Sequence, residues 1–238
     1  MCARADACTA YEDRSNACLE RFLRARKYDV AVASAMYLEH RRWRAAFGWV
    51  QGPSDVPVQL SQRKVCMQGL CRDGLPFVIV VANAHRPTGK AGVPELFRFF
   101  VYVMDTISCA MGPGGQFRIL VDLRNMSRAN ADLSAMKVAF DVLQKGFPER
   151  MRHLWLAEPP SIFLGLWKLI TPFVAPATRE KINFVAGKDV AAVVGKYVDT
   201  ALLPAAWGGT APLRPLDDGP AIWEAPRPKG ELGPKRKY

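Results

Sequence analysis

Hydrophobic positions in this chain change period from segment to segment, and each period predicts an element. From Asn16 to Tyr28, Leu19, Phe22 and Leu23 recur at i, i+3, i+4 amid basic residues, which predicts a short helix. Asp29 stands where an N-cap is expected. Beyond it, Met36, His40, Trp43 and Phe47 share one face of a second helix, which Gly48 and Gly52-Pro53 stop. After the Asp73-Gly74 turn, the apolar run Phe77 to Ala82 reads as a strand. Pro94 to Met111 carries Leu96, Phe97, Phe100, Met104 and Ile107 on a helix with an aromatic face.

The alternation then continues. Phe117 to Leu123 predicts a strand, and Asp132 to Lys145 a helix with Leu133, Met136, Phe140 and Leu143 on its stripe. His153 to Ala157 and Ile182 to Val185 predict two more strands, Ser161 to Thr171 a strongly apolar helix, and Asp189 to Thr200 a closing helix. Strands separated by helices of this length need crossover connections, so the expected class is α/β with a mostly parallel sheet and a helical front end. Six prolines between 212 and 234 exclude helix and central strand, leaving residues 210–238 as an extended tail. The expected division is a basic helical module over 1–52 (residues 1–15 loose), a lobe over 53–209 and a Pro-rich basic tail over 210–238.

Composition adds bounds. Of 238 residues, 50% are hydrophobic and 23% charged, an ordinary globular balance. No run approaches the roughly 18 apolar residues of a membrane span. The first residues lack the apolar stretch of a secretory signal, and the six cysteines show no metal-ligand spacing. Reduced thiols in a cytoplasmic protein are expected. The net charge of +11 gathers between Arg21 and Arg44 and in the tail. It shows neither aromatic interleaving nor a helix-turn-helix pattern, so no nucleic-acid partner is expected; an anionic membrane surface would attract it.

Catalytic signatures are absent or broken. Gly89-Lys90 resembles the end of a phosphate loop, but Ala84 stands at its first glycine and Ala91 where Ser or Thr belongs. Gly112, Gly114 and Gly115 do not complete GxGxxG, and there is no GxSxG. The three histidines are scattered, and Asp122 with Glu149 is a weak acid–base candidate. The expectation is a protein that is not an enzyme. What stands out is apolar surface: Phe97, Phe99 and Phe100 lie on both faces of one helix, and helix 161–171 is apolar nearly all round. Such a helix is buried, or faces a bilayer or a ligand.

Five motifs in order then resemble the Sec14-like (CRAL-TRIO) lipid-binding family. They are Phe22-Leu23-Arg24-Ala25-Arg26-Lys27-Tyr28-Asp29-Val30 with Trp43-Arg44, Asp73-Gly74-Leu75-Pro76, Val121 to Ser127, Phe147 to Val185, and Leu203-Pro204 with Gly208-Gly209. The resemblance implies a helical module plus a lobe whose sheet floors a lipid pocket, closed by a gate helix over about 160–171. It implies no cofactor, a bound phospholipid, and a monomer acting at membranes from the cytoplasm. For phosphatidylinositol the head-group positions would be Glu149, Lys181, Arg26 and Lys27. The pocket and gate would comprise Phe97, Phe100, Met104, Phe117, Ile119, Phe163, Leu166, Trp167, Ile170 and Phe173.

The chain departs from the family at Cys71, where an acid near the head group is usual, at Val80, and at Phe117 and Ile119, where choline-lipid binders carry hydroxyls. Inositol-lipid transfer is the expectation. The alternatives are a carrier of another hydrophobe (sterol, tocopherol-like, retinoid), a membrane-docking scaffold without transfer, and a Glu149–Lys181 pair that is only a salt bridge.

Overall fold

The computed structural model describes residues 15–47, 52–111 and 114–216. Expectations for residues 1–14, for Gly48 and Gly112, and for the tail beyond 216 lie outside the described residues. Helix α1 spans Asn16–Ala25, and Ser15 caps it by accepting a hydrogen bond from the Cys18 N–H. Lys27 and Tyr28 adopt positive φ and turn the chain. The Asp29 carboxylate accepts from the Val32 N–H at 3.0 Å, so α2, Val30–Phe47, begins as the pattern predicts. His40 of α2 is buried, with its ring 5.3 Å from Phe22 and 5.6 Å from Trp43.

Among the described residues the sheet has five strands in sequential order: β1 Val65–Leu70, β2 Pro76–Val81, β3 Phe117–Asp122, β4 Met151–Ala157 and β5 Ile182–Val185. Strands β2 to β5 are parallel, and β1 runs antiparallel to β2. β1 escapes the sequence pattern for two reasons. Gln68 sits in its middle, fully buried, because its amide donates to the Leu202 and Pro212 carbonyls. The register then slips between Met67 and Gly69, whose φ of 132° and close approach to Leu202 suit glycine.

Alternation along the strands builds two cores. Val65, Met67, Val78, Phe117, Ile119, Leu154 and Leu156 face one side, against α3 (Gly89–Met111), α4 (Leu133–Asp141) and α5 (Ser161–Ile170). Cys66, Phe77, Ile79, Leu120, Trp155 and Ala157 face the other, against α6 (Val190–Val194), Leu203 and Trp207.

Among the boundaries that differ from the pattern, three stand out. α3 starts at Gly89, with Pro94 inside it. α4, capped by Asp132, runs on through a π turn over Val142–Gly146. The closing helix stops at Val194, and 3₁₀ turns follow, because Gly195 lowers helix propensity and Asp199 caps a new turn at Ala201. The start of the expected tail is not loose. Arg214 O accepts from the Met67 N–H at 2.9 Å, Pro215 bridges Cys66, and Leu216 is buried, so residues 211–216 lie along the open edge of β1.

The helical pair is tied to the lobe. The Arg21 guanidinium donates to the Pro148 carbonyl at 3.1 Å, and Arg44 pairs with Asp105 of α3. Trp43 packs edge-on to Phe147 and Phe97. Its ring lies so close to Gly146 that a side chain there would collide with it.

Candidate functional site

The π turn inserts one residue's worth of rotation at the end of α4 and re-aims the chain that follows. Glu149 then takes φ of 57°, a left-handed conformation that costs a non-glycine residue about 1 kcal/mol or more. Buried Arg150 anchors this corner by donating to the Gly115 carbonyl at 2.8 Å, and the Gln116 amide donates to the Glu149 carbonyl at 3.0 Å. The strained backbone delivers the Glu149 carboxylate to the Lys181 ammonium, 2.9 Å away, at the amino-terminal ends of β4 and β5.

This pair lines a cleft of about 490 Å³ between the helical module and the lobe. Arg26 contributes from the end of α1, Glu39, His40 and Trp43 from α2, and Lys145 from the π turn. Thr178 lines it beside Lys181. Lys27 is exposed and is not among the lining residues. Lys145, paired with Asp141 one helical turn earlier at 2.8 Å, was not anticipated from sequence.

A second compartment of about 230 Å³ lies between the sheet and helices α3, α4 and α5. Its walls are almost wholly apolar and include Phe100, Met104, Phe117, Ile119, Phe163 and Trp167. It is larger than the ~150 Å³ cavity that holds a benzene in an engineered core. Leu143 lines both compartments, so one side chain stands where they adjoin. The other predicted pocket residues fall elsewhere. Phe97 packs on Trp43, Ile170 is buried with Phe140 and Val174, and Leu166 is half-buried outside the lining. Phe173 is exposed, its ring 4.6 Å from the Lys137 ammonium.

Helix α5 is therefore two-faced. Phe163 and Trp167 face the cavity, while Leu164 and Leu169 of α5, with neighbouring Phe173 and Phe184, are exposed. Among the described residues no helix is long and apolar enough to cross a membrane. Asp122 does not meet Glu149: it pairs with Arg124 at 2.7 Å, at the opposite end of the strands. Cys71 lies on the far side of the sheet with the second core, where burial pushes its thiol pKa up. Val80, Phe117 and Ile119 line the cavity without a hydroxyl or an acid.

Comparison with known proteins gives two family matches. Residues 5–39 match the CRAL/TRIO N-terminal domain, and residues 60–209 match the CRAL/TRIO domain. The chain belongs to the CRAL/TRIO family. This CRAL/TRIO chain is 26% identical over 205 residues to the phosphatidylinositol transfer protein CSR1 of Eremothecium gossypii, covering 80% of this chain and 46% of that one. It is 27% identical over 256 residues to the SEC14 cytosolic factor of Yarrowia lipolytica, covering 94% of this chain and 50% of that one. It thus spans half or less of these two CRAL/TRIO relatives. The crystal structure of Sfh5 shares its fold, with a TM-score of 0.61 at 13% identity, covering 74% of this chain and 66% of that one.

Proposed function

We propose that this chain binds phosphatidylinositol and exchanges it between membranes, without catalysis. The observation that carries the reading is the adjacency of a charged cleft, bearing Glu149 and Lys181, to an apolar cavity, with Leu143 lining both. CRAL/TRIO membership supports lipid binding and transfer as the class, and a relative named as a phosphatidylinositol transfer protein supports the inositol lipid. In this reading Glu149 accepts hydrogen bonds from inositol hydroxyls, while Lys181 and Arg26 neutralise phosphate. The acyl chains enter the apolar cavity, which widens as α5 swings outward.

A diacyl lipid exposes some thirty methylenes, and burying them is worth on the order of 20 kcal/mol. A protein cavity that buries them as well as a bilayer does makes extraction nearly neutral, leaving the opening of a door as the barrier. The outward apolar face of α5 and Phe173 suits that door, because bilayer contact stabilises its open position. The basic balance of the chain holds it near anionic leaflets as a peripheral protein.

The test is transfer of labelled phosphatidylinositol from donor to acceptor vesicles by the purified chain. Saturable transfer, absent with phosphatidylcholine, is expected; no transfer of either would overturn the proposal. One second reading has its own support. The cavity wall at Phe117 and Ile119 offers no hydroxyl, and Cys71 lies across the sheet, which favours a carrier of an uncharged hydrophobe. Transfer of a sterol in place of phosphatidylinositol would establish it.

A further inference from the structure

One end of the apolar cavity is lined by ionisable residues that the inositol-lipid reading does not use, although the wall they present is mostly hydrocarbon. Lys64 leads into β1, and its carbonyl accepts from the Val81 N–H at 2.8 Å, so it stands at the carboxy-terminal ends of the parallel strands. Glu149 and Lys181 precede β4 and β5, at the other end of the sheet. Lys64, His85 and Asp132 are the ionisable residues that line the cavity. The Lys64 ammonium donates to the side-chain carbonyls of Gln59 and, at 2.9 Å, Gln62. It lies 2.9 Å from His85 Nδ1 and 5.0 Å from the centre of the Phe99 ring, itself a cavity wall. His85 Nε2 is 3.2 Å from the Asp132 carboxylate.

The three N–H groups of this ammonium are all engaged, by Gln59, Gln62 and His85, and none of these partners is an anion, so an incoming anion would take the place of one of them. Among the described residues no ion pair reaches it: Asp132 stands behind the imidazole, and Glu95 is engaged by the Val58 and Gln59 N–H groups. Arg86 adds positive charge beside His85. Burial pulls the Lys64 pKa down to about 7, with Asp132 and Glu95 opposing the shift only in part. A buried cation lacking a direct counter-charge is unfavourable, and an anion brought against it recovers that cost. The adjoining walls are hydrocarbon and the volume is small for two acyl chains, which suits one chain with an anionic end.

We propose that Lys64, backed by His85 and Asp132, anchors the carboxylate of a long-chain fatty acid whose hydrocarbon chain lies in the cavity. The site needs the cavity described above but not the Glu149–Lys181 cleft, so it goes beyond the inositol-lipid reading. It gives the cavity an ionisable end of its own, apart from the charged cleft that adjoins it at Leu143, able to hold a single-chain acid when no diacyl lipid fills it.

The experiment titrates the full chain with the fluorescent fatty acid cis-parinaric acid and with its methyl ester, at about pH 6.5, where Lys64 carries more charge, and about pH 9, where it carries less. At the lower pH the acid should bind about ten- to a hundredfold more tightly than the ester, the range of a charge-assisted contact. The preference should shrink at the higher pH and vanish in Lys64→Met. Equal binding of acid and ester to the unsubstituted chain would overturn the proposal without recourse to any variant. Lysophosphatidic acid displacing parinarate more tightly than oleic acid does would overturn the carboxylate assignment in favour of phosphate. Glu149→Ala with Lys181→Ala should leave parinarate binding unchanged, so loss of phosphatidylinositol transfer and loss of fatty-acid binding report on different sites.

Discussion

Replacing Glu149 and Lys181 together by alanine separates a ligand contact from a structural salt bridge by magnitude. The two side chains are 21% and 25% exposed and 2.9 Å apart. A pair this accessible contributes about 0–1 kcal/mol to folding, since solvent screens it. Neither loss leaves a fully buried charge behind. Alanine at 149 inherits the left-handed φ of 57° at a similar cost, so the backbone contributes little to the difference. In the complex, each charged group would make a charge-assisted contact worth about 1.5–3 kcal/mol. Losing both should cost about 3–6 kcal/mol of head-group binding, a factor of roughly 10² to 10⁴. Urea unfolding reads the first quantity and vesicle-to-vesicle transfer the second. The expected result is a stability within about 1 kcal/mol of the parent chain and transfer at background. Parental transfer together with a stability loss above about 3 kcal/mol would show instead that the pair is a structural strut.

Further outcomes follow from other parts of the molecule. Leu169→Glu with Phe173→Glu, both exposed, should leave folding within about 0.5 kcal/mol yet slow transfer severalfold, measured by vesicle transfer beside thermal unfolding. Ala139→Trp should fill the cavity from α4 and exclude lipid, read as loss of co-purifying phospholipid from a folded chain. Asp73→Ala removes the bidentate partner, at 2.6 and 2.8 Å, of buried Arg118; because Asp73 itself is half-exposed and screened by solvent, the cost should be about 1–2 kcal/mol. The hydrogen bond from Arg118 holds the Asp73 carboxyl below its usual pKa. Its contribution should therefore be complete above about pH 4 and lost as pH falls below that, a slope that Asp73→Asn removes. Lys64 works in the opposite pH range. Its pKa falls on folding from 10.5 to about 7, so the unfolded chain binds more protons between those values. Stability should rise across that interval in urea titrations and stay flatter in Lys64→Met.

Much of the fold was legible because its signals are local. Period-3.6 stripes marked both front helices, and the apolar runs marked β2 to β5, each bounded by turn residues or caps such as Asp29 and Asp132. β1 was not legible, because Gln68 and Gly69 break the pattern and are justified only by partners near residues 202 and 212. For the same reason, residues 211–216 read as tail: what holds them is the open edge of a strand far away in sequence. In the candidate site, Glu149 and Lys181 came from motif, and the structure sets them 2.9 Å apart. Phe117 and Ile119, given as pocket positions by the family resemblance, do line the cavity, whereas Phe173, given the same way, is exposed. Nothing local in the sequence marked Lys64, His85 and Asp132 as a group, since only the meeting of β1, the end of β2 and the start of α4 assembles them.

Identification of the lipid extracted by organic solvent from the purified chain decides whether the cleft and cavity hold phosphatidylinositol. Phosphatidylinositol is expected at close to one molecule per chain, falling to background when Glu149 and Lys181 are both replaced by alanine. Mass spectra showing a folded chain that carries no phospholipid, or one that carries phosphatidylcholine whether or not those two residues are present, would contradict that expectation.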